Sequence, residues 1–300
     1  MKIQDWETTR ELSGIYRDVR ALDLEQNIAE HDAFGFTIVP PEKVAPPAFQ
    51  RRLLEAILGY HERRTGQRIG LDELATASLP GNRPIEVHLG LIGEDPIFEE
   101  VVNNPAVLAL ARYFCGKSVL LSEALTILKR RDDTPSHLLH IDQAGSAPPL
   151  PPFPQLLNIT LPLTPYTLEN GPIAVVPGSH RFGRLPQSYE TDFLRPDAPV
   201  KGVPIECEPG SLIVFGGTTW HAAFPRKAPG LRVTFVMTFC RPFMKQIQDY
   251  RGLSPEVLAR NPPEFAKLLG IDALYPMNRD DPGTPEQFEA FRAAGRNPWA

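Results

Sequence analysis

Apolar residues recur along this chain in two rhythms, and the change of rhythm marks its elements. A helical period of three to four residues runs through 46–65 with Phe49, Leu53, Leu54, Ile57 and Leu58. It returns in 97–115 with Val101, Val102, Val107, Leu108, Leu110 and Phe114. Residues 1–32 are charged and carry one apolar stripe through Leu22, Leu24 and Ile28. Between and after these come short apolar or alternating runs of strand character, at 34–39, 86–89, 119–131, 136–141, 156–163, 173–176, 212–215 and 231–237. Most are closed by Gly or Pro, as in Pro40-Pro41, Gly171-Pro172, Pro177-Gly178 and Pro209-Gly210. Many short strands with such turns predict a sandwich or barrel, mainly β with flanking helices. Three short helices are expected near 254–258, 263–269 and 285–293, the first with Ser254 as N-cap and Pro255 behind it.

The strand rhythm gives several polar residues a meaning. The run Ser136–Ile141 carries His140 and leads straight to Asp142. Residues two apart on a strand share a face. An imidazole and a carboxylate so placed can reach one divalent ion, and a second His would complete a two-His-one-carboxylate facial set with three open positions. An HxD tripeptide alone arises often by chance. The region downstream adds weight, because Leu212–Phe215 ends at Gly216-Gly217 and His221 follows. Then Arg232 and Thr234 alternate with Val233 and Phe235. A buried Arg is rare without a partner, and its fork matches a carboxylate. Asn158 and Thr160 share one face of the 156–163 strand and are candidates for cosubstrate contacts. Lys129 and Glu123 sit inside a strand and are candidates to face the site, with a salt-bridged or rim position expected for Glu123. His180 is the rival third ligand, at the edge of a turn.

Three blocks carry a resemblance to a known family. They are His140-x-Asp142, then Glu169-Asn170-Gly171-Pro172 with Val176-Pro177-Gly178-Ser179-His180, and then Pro209-Gly210-Ser211 through His221 to Arg232. In order and spacing they resemble the phytanoyl-CoA dioxygenase family of Fe(II)/2-oxoglutarate oxygenases over about 28–242. The resemblance implies a double-stranded β-helix, the cupin-like jelly roll, with the site in one mouth. It implies His140, Asp142 and His221 as iron ligands, and Arg232 with Thr234 on the distal carboxylate of 2-oxoglutarate. The reaction implied is O2-dependent decarboxylation of 2-oxoglutarate to succinate, coupled to oxidation of an unactivated C–H bond. Halogenating relatives lack the carboxylate ligand, so Asp142 favours hydroxylation.

Composition narrows the rest. With 300 residues and 42% hydrophobic content, one sizeable core and a single domain over 1–300 are expected, with 243–300 a helical extension. The formal net charge of −5 argues against a nucleic-acid partner. Cys115, Cys207 and Cys240 form no CxxC pair and read as buried hydrophobes in a reducing, cytoplasmic setting. No apolar run reaches membrane-spanning length, and the first residues do not read as a signal peptide. The proline-rich 147–154 should arch over the site as a lid, with Phe153 toward substrate. Gln143, Trp220 and Phe243, with Tyr166 and Phe224, are further substrate candidates for a small, largely apolar molecule. Two alternatives stand beside this reading: a cupin-like metalloenzyme that uses no 2-oxoglutarate, and a non-catalytic jelly-roll binding protein.

Overall fold

A computed structural model describes residues 7–271, apart from 82, 83, 133–136 and 144. The helix expected at 285–293 therefore lies outside the described residues. The elements follow in the order α1 (Glu7–Ala21), α2 (Glu25–Phe34), β1 (Phe36–Val39), α3 (Pro47–Thr65), β2 (Ile85–Leu89), α4 (Pro96–Val102), α5 (Pro105–Cys115) and β3 (Leu120–Lys129). They continue with β4 (His137–His140), β5 (Leu156–Pro162), β6 (Ile173–Val175), β7 (Val203–Pro204), β8 (Leu212–Gly216), β9 (His221–Ala223), β10 (Arg232–Cys240), α6 (Pro255–Ala259) and α7 (Glu264–Leu268).

The strands form two antiparallel sheets. The larger runs β1-β8-β5-β10-β3-β2 and the smaller β4-β9-β6-β7. Together they make the double-stranded β-helix that the sequence predicted. Strand β10 lies in the middle of the larger sheet, paired to β5 on one side and to β3 on the other. Both its faces are therefore covered. Val233, Phe235, Met237 and Phe239 point to the helical side and join Phe98, Val107 and Leu110 in the main core. Phe98 stacks flat on Phe235 with ring centroids 5.9 Å apart. Arg232, Thr234, Val236 and Thr238 point the other way, into the roll. The same core takes in Val257, Phe265 and Leu268 from α6 and α7, so the chain after 242 packs on the same sheet through its described part.

Three departures from the sequence reading have local causes. The stripe over 1–32 is two helices, because Leu22-Asp23-Leu24 turns with Asp23 at φ 53°. The stripe over 97–115 is also two helices. Asn104 caps the second, accepting from the N–H of Ala106, and Pro105 cannot continue the first. Phe34 closes α2 rather than opening β1, since Gly35 adopts a left-handed C-cap. Cys207 is half-buried, unlike the other two cysteines.

Gly171 and Gly178 both hold positive φ, at 67° and 80°. A Cβ on Gly171 would stand 2.8 Å from the Arg226 nitrogen and the Phe224 oxygen, whereas one on Gly178 would meet nothing within 4 Å. Gly178→Ala should therefore cost only the left-handed backbone penalty, on the order of 1–2 kcal/mol. Gly171→Ala should cost clearly more, read as a larger drop in the urea midpoint.

Candidate metal centre and cosubstrate pocket

The register of the smaller sheet places the two histidines. His140 at the end of β4 pairs directly with His221 at the start of β9, and their ring centroids lie 4.2 Å apart. Asp142 follows two residues after His140. Its Oδ1 lies 3.6 Å from His140 Nε2 and its Oδ2 lies 3.4 Å from His221 Nε2. The three donor atoms fall within 4.8 Å of one another, as one shared ion requires.

The main chain orients the rings. His140 Nδ1 lies 2.8 Å from the Leu138 carbonyl, and His221 Nδ1 lies 3.0 Å from the Thr219 carbonyl. A carbonyl can only accept, so each Nδ1 carries the proton and each Nε2 presents a lone pair toward Asp142. Asn158 Nδ2 donates to Asp142 Oδ2 at 2.6 Å. Asn158 Oδ1 in turn faces the Thr238 hydroxyl at 3.0 Å, and that hydroxyl lies 3.2 Å from Glu123 Oε1. Burial, reinforced by the Asp142 charge, raises the Glu123 carboxyl above its usual value, against the Thr238 hydrogen bond. Glu123 thus sits in the cavity wall and not at a rim.

A cavity of about 290 Å³ opens beside these residues. At its far end stands Arg232, only 4% exposed. Its Nη1 donates to the Gly171 carbonyl, and its guanidinium lies 4.8 Å from the Tyr166 ring centroid. Arg232 Nε and the Tyr166 hydroxyl are both buried without a hydrogen-bond partner. Such groups are expensive to leave unmade. Lys129, opposite Arg232 on β3, is fully buried. Its ammonium donates to the Phe224 carbonyl at 2.5 Å and lies 3.6 Å from Asp132. Burial, and then the Arg232 charge, bring its pKa from 10.5 down to about 7 despite Asp132. This end of the cavity is short of acceptors and rich in donors, and an incoming carboxylate supplies what it lacks.

The structure brings together His140, Asp142, His221, Arg232, Thr234, Asn158 and Thr160, all in the wall of one cavity. The substrate candidates Trp220, Gln143, Phe153 and Phe243 fall elsewhere. Trp220 is fully buried in a second apolar cluster, where its indole N–H donates to the Arg184 carbonyl. Gln143 is buried and bonded to Gln155 through both side chain and main chain. Phe153 and Phe243 are exposed, the former under the Arg241 guanidinium, and neither lines the cavity. Phe224 packs on the second cluster, so only Tyr166 of the aromatic set reaches the cavity. His180 binds the Asp32 carbonyl at 3.3 Å and lies outside the wall. Lys129, read from the sequence as a strand residue facing the site, does line the cavity, whereas Thr238 and the Gly171 carbonyl were not assigned roles from sequence. Thr238 had a readable signal, since it shares the alternate face of Arg232 and Thr234.

Fold and site together define a double-stranded β-helix with a two-His-one-carboxylate cluster facing an anion-ready pocket. The chain belongs to the phytanoyl-CoA dioxygenase (PhyH) family, whose model matches residues 32–234. It is 30% identical over 177 residues to the uncharacterised protein Rv1501 of Mycobacterium tuberculosis, covering 52% of this chain and 62% of that protein. It is 28% identical over 188 residues to the dioxygenase andF of Emericella variicolor, covering 58% and 61%. The chain thus spans under two thirds of the length of these curated relatives. Among solved structures it resembles HygX from Streptomyces hygroscopicus with nickel and 2-oxoglutarate bound, with TM-score 0.57 and 13% identity over 78% of this chain and 93% of that one. It also resembles the epimerase SnoN in complex with Fe3+, alpha ketoglutarate and nogalamycin RO, with TM-score 0.53 and 18% identity over 74% and 84%. At these identities the structural likeness carries the fold.

The displaced Lys129 titration has a stability consequence with a definite sign. Below pH 7 both native and unfolded chains hold its proton, and the native state bears the full cost of a buried ammonium. Between pH 7 and 10.5 the unfolded chain holds more protons, so stability rises with pH across that window. Lys129→Met should flatten this rise by up to one proton, read from urea unfolding across the same window.

Proposed function

We propose that the chain is an Fe(II)/2-oxoglutarate-dependent dioxygenase that hydroxylates an unactivated C–H bond of a small, largely apolar molecule. His140, Asp142 and His221 hold the iron through Nε2, a carboxylate oxygen and Nε2. The observation that carries the reading is the pairing of this facial donor set with Arg232, whose buried Nε has no partner, in one cavity. A cupin-like enzyme without 2-oxoglutarate has no use for a buried carboxylate receptor, and a binding protein has no use for an open metal set.

Bound iron would supply O2 activation coupled to decarboxylation of 2-oxoglutarate to succinate. The residues of this chain do the rest. Arg232 holds the distal carboxylate with charge-assisted bonds, aided by the Tyr166 hydroxyl and by Thr234 on the same face. Lys129 adds a cation where that carboxylate lands. Asn158 fixes the Asp142 carboxylate, and the Leu138 and Thr219 carbonyls hold the imidazoles in the ligating tautomer. Thr160 lines the wall close by. Between these polar groups the wall is apolar, with Ile85, Leu125, Ile127, Val236 and Ile247. These exclude water and accept a hydrocarbon surface. No helix among the described residues is long and apolar enough to cross a membrane. Relatives of this fold are recorded with hygromycin B and nogalamycin RO, which supports a small-molecule substrate here.

The test is succinate release from 2-oxoglutarate with Fe(II) and O2. His140→Ala, Asp142→Ala and His221→Ala should each lose iron and activity with the fold intact, and Asp142→Gly should lose hydroxylation. Loss of iron in His180→Ala but not in His221→Ala would reverse the third-ligand assignment. Removing one partner of a buried ion pair costs about 3–5 kcal/mol. Arg232→Ala should therefore raise the 2-oxoglutarate requirement by some hundreds-fold while iron still binds. Arg232→Lys should recover only part, since an ammonium cannot reproduce the fork. An Arg232→Ala enzyme with unchanged 2-oxoglutarate dependence would move the anion site to Lys129; Arg241, the other cation considered from sequence, donates to the Pro154 and Phe114 carbonyls outside the cavity.

A further inference from the structure

Outside the cavity a second trio of metal-ligating side chains converges. Glu86 and His88 are two apart on β2 and share one face, with the alternate face carrying Val87. His61, on α3, lies against that face. His61 and His88 are buried, and the Glu86 side chain is about one quarter exposed. His61 Nδ1 lies 2.9 Å from His88 Nε2. Glu86 Oε1 lies 3.7 Å from His61 Nδ1 and 3.5 Å from His88 Nε2. The two distances to the carboxylate are too long for good hydrogen bonds. Both are close to the edge of a tetrahedron around an ion with bonds of ~2.1 Å, which is ~3.4 Å, whereas the two ring nitrogens sit at hydrogen-bond distance and would have to part by about 0.5 Å to share an ion.

We propose that His61, Glu86 and His88 form a second metal site, for a four-coordinate zinc ion, that ties α3 to the edge strand β2. The donor types repeat those of the iron set, but the surroundings differ. None of the three lines the cavity, and only Glu86 reaches toward solvent. A water reaching the ion past Glu86 would complete the four ligands. Zinc has no geometric preference of its own and takes such a set readily. The ion would reinforce the Tyr60 hydroxyl, which donates to the Leu89 carbonyl at 2.7 Å from the same helix. It would thereby hold the strand whose first residue, Ile85, lines the cavity beside Lys129. The proposal does not depend on the identity of the reaction.

The experiment is anaerobic titration of the metal-stripped full chain with Co(II), a spectroscopic substitute for both ions. A tetrahedral site gives intense visible bands, whereas a facial set completed by waters gives weak ones. The wild type should take two equivalents and show intense bands. Glu86→Gln and His88→Ala should each take one equivalent and lose those bands. His140→Ala should take one and keep them. Zinc should raise the thermal midpoint of the wild type and not that of Glu86→Gln, a near-isosteric change at a partly exposed side chain that guards against simple misfolding. A single equivalent in the wild type, or intense bands that survive both Glu86→Gln and His88→Ala, would reduce the cluster to a hydrogen-bonded histidine pair and overturn the proposal.

Discussion

The alternation of side chains along β10 governs this molecule. A strand held between β5 and β3 has no solvent face, so each residue faces either the helical core or the inside of the roll. Phe235 and Met237 anchor the sheet to α4 and α5 through one set of positions. Arg232, Thr234 and Thr238 equip the cavity through the other. A slip of one residue would exchange the two sets and place a guanidinium among phenylalanines. The core and the site therefore enforce one register together.

Polar satisfaction then decides what the cavity can hold. Around the cluster, acceptors and donors are matched: main-chain carbonyls take the imidazole protons, and Asn158 takes an Asp142 oxygen. At the far end they are not. Arg232, Lys129 and Arg226 gather where Asp132 is the carboxylate close to hand, and burial lowers the Arg226 pKa to about 10, with Arg232 adding to the effect. The surplus of positive charge in a low-dielectric site is a standing cost that an anionic ligand offsets.

The two conspicuous motifs of the middle block serve as supports. In Glu169-Asn170-Gly171-Pro172, the Gly171 carbonyl receives Arg232 and the Asn170 side chain receives Arg226. In Val176-Pro177-Gly178-Ser179-His180, the Ser179 hydroxyl accepts from the Trp220 N–H, just before His221. Gly35 packs against His180 so tightly that a Cβ there would lie 2.5 Å from its Nδ1. These residues set the positions of others that line the cavity.

The sequence by itself determined eight of the strands, their alternate faces and the residue types of the site, but not the short β7 or the β9 that carries His221. Period-two patterning is local, so Arg232-x-Thr234 could be assigned to a common face without knowing its partners, whereas β4 ends at His140 and Asp142 reaches the cluster from the turn behind it. The helix count was less legible, because Asp23 and Asn104-Pro105 interrupt stripes whose hydrophobic spacing continues past them. Tertiary structure alone decided which faces met. The pairing of His140 with His221 joins residues that lie far apart in the chain, and no local signal encodes it. It also decided that the aromatic candidates divide, with Tyr166 in the cavity, Trp220 in a closed cluster and Phe243 in solvent. Large apolar side chains look alike in a sequence, and only the packing around each one distinguishes a wall from a core.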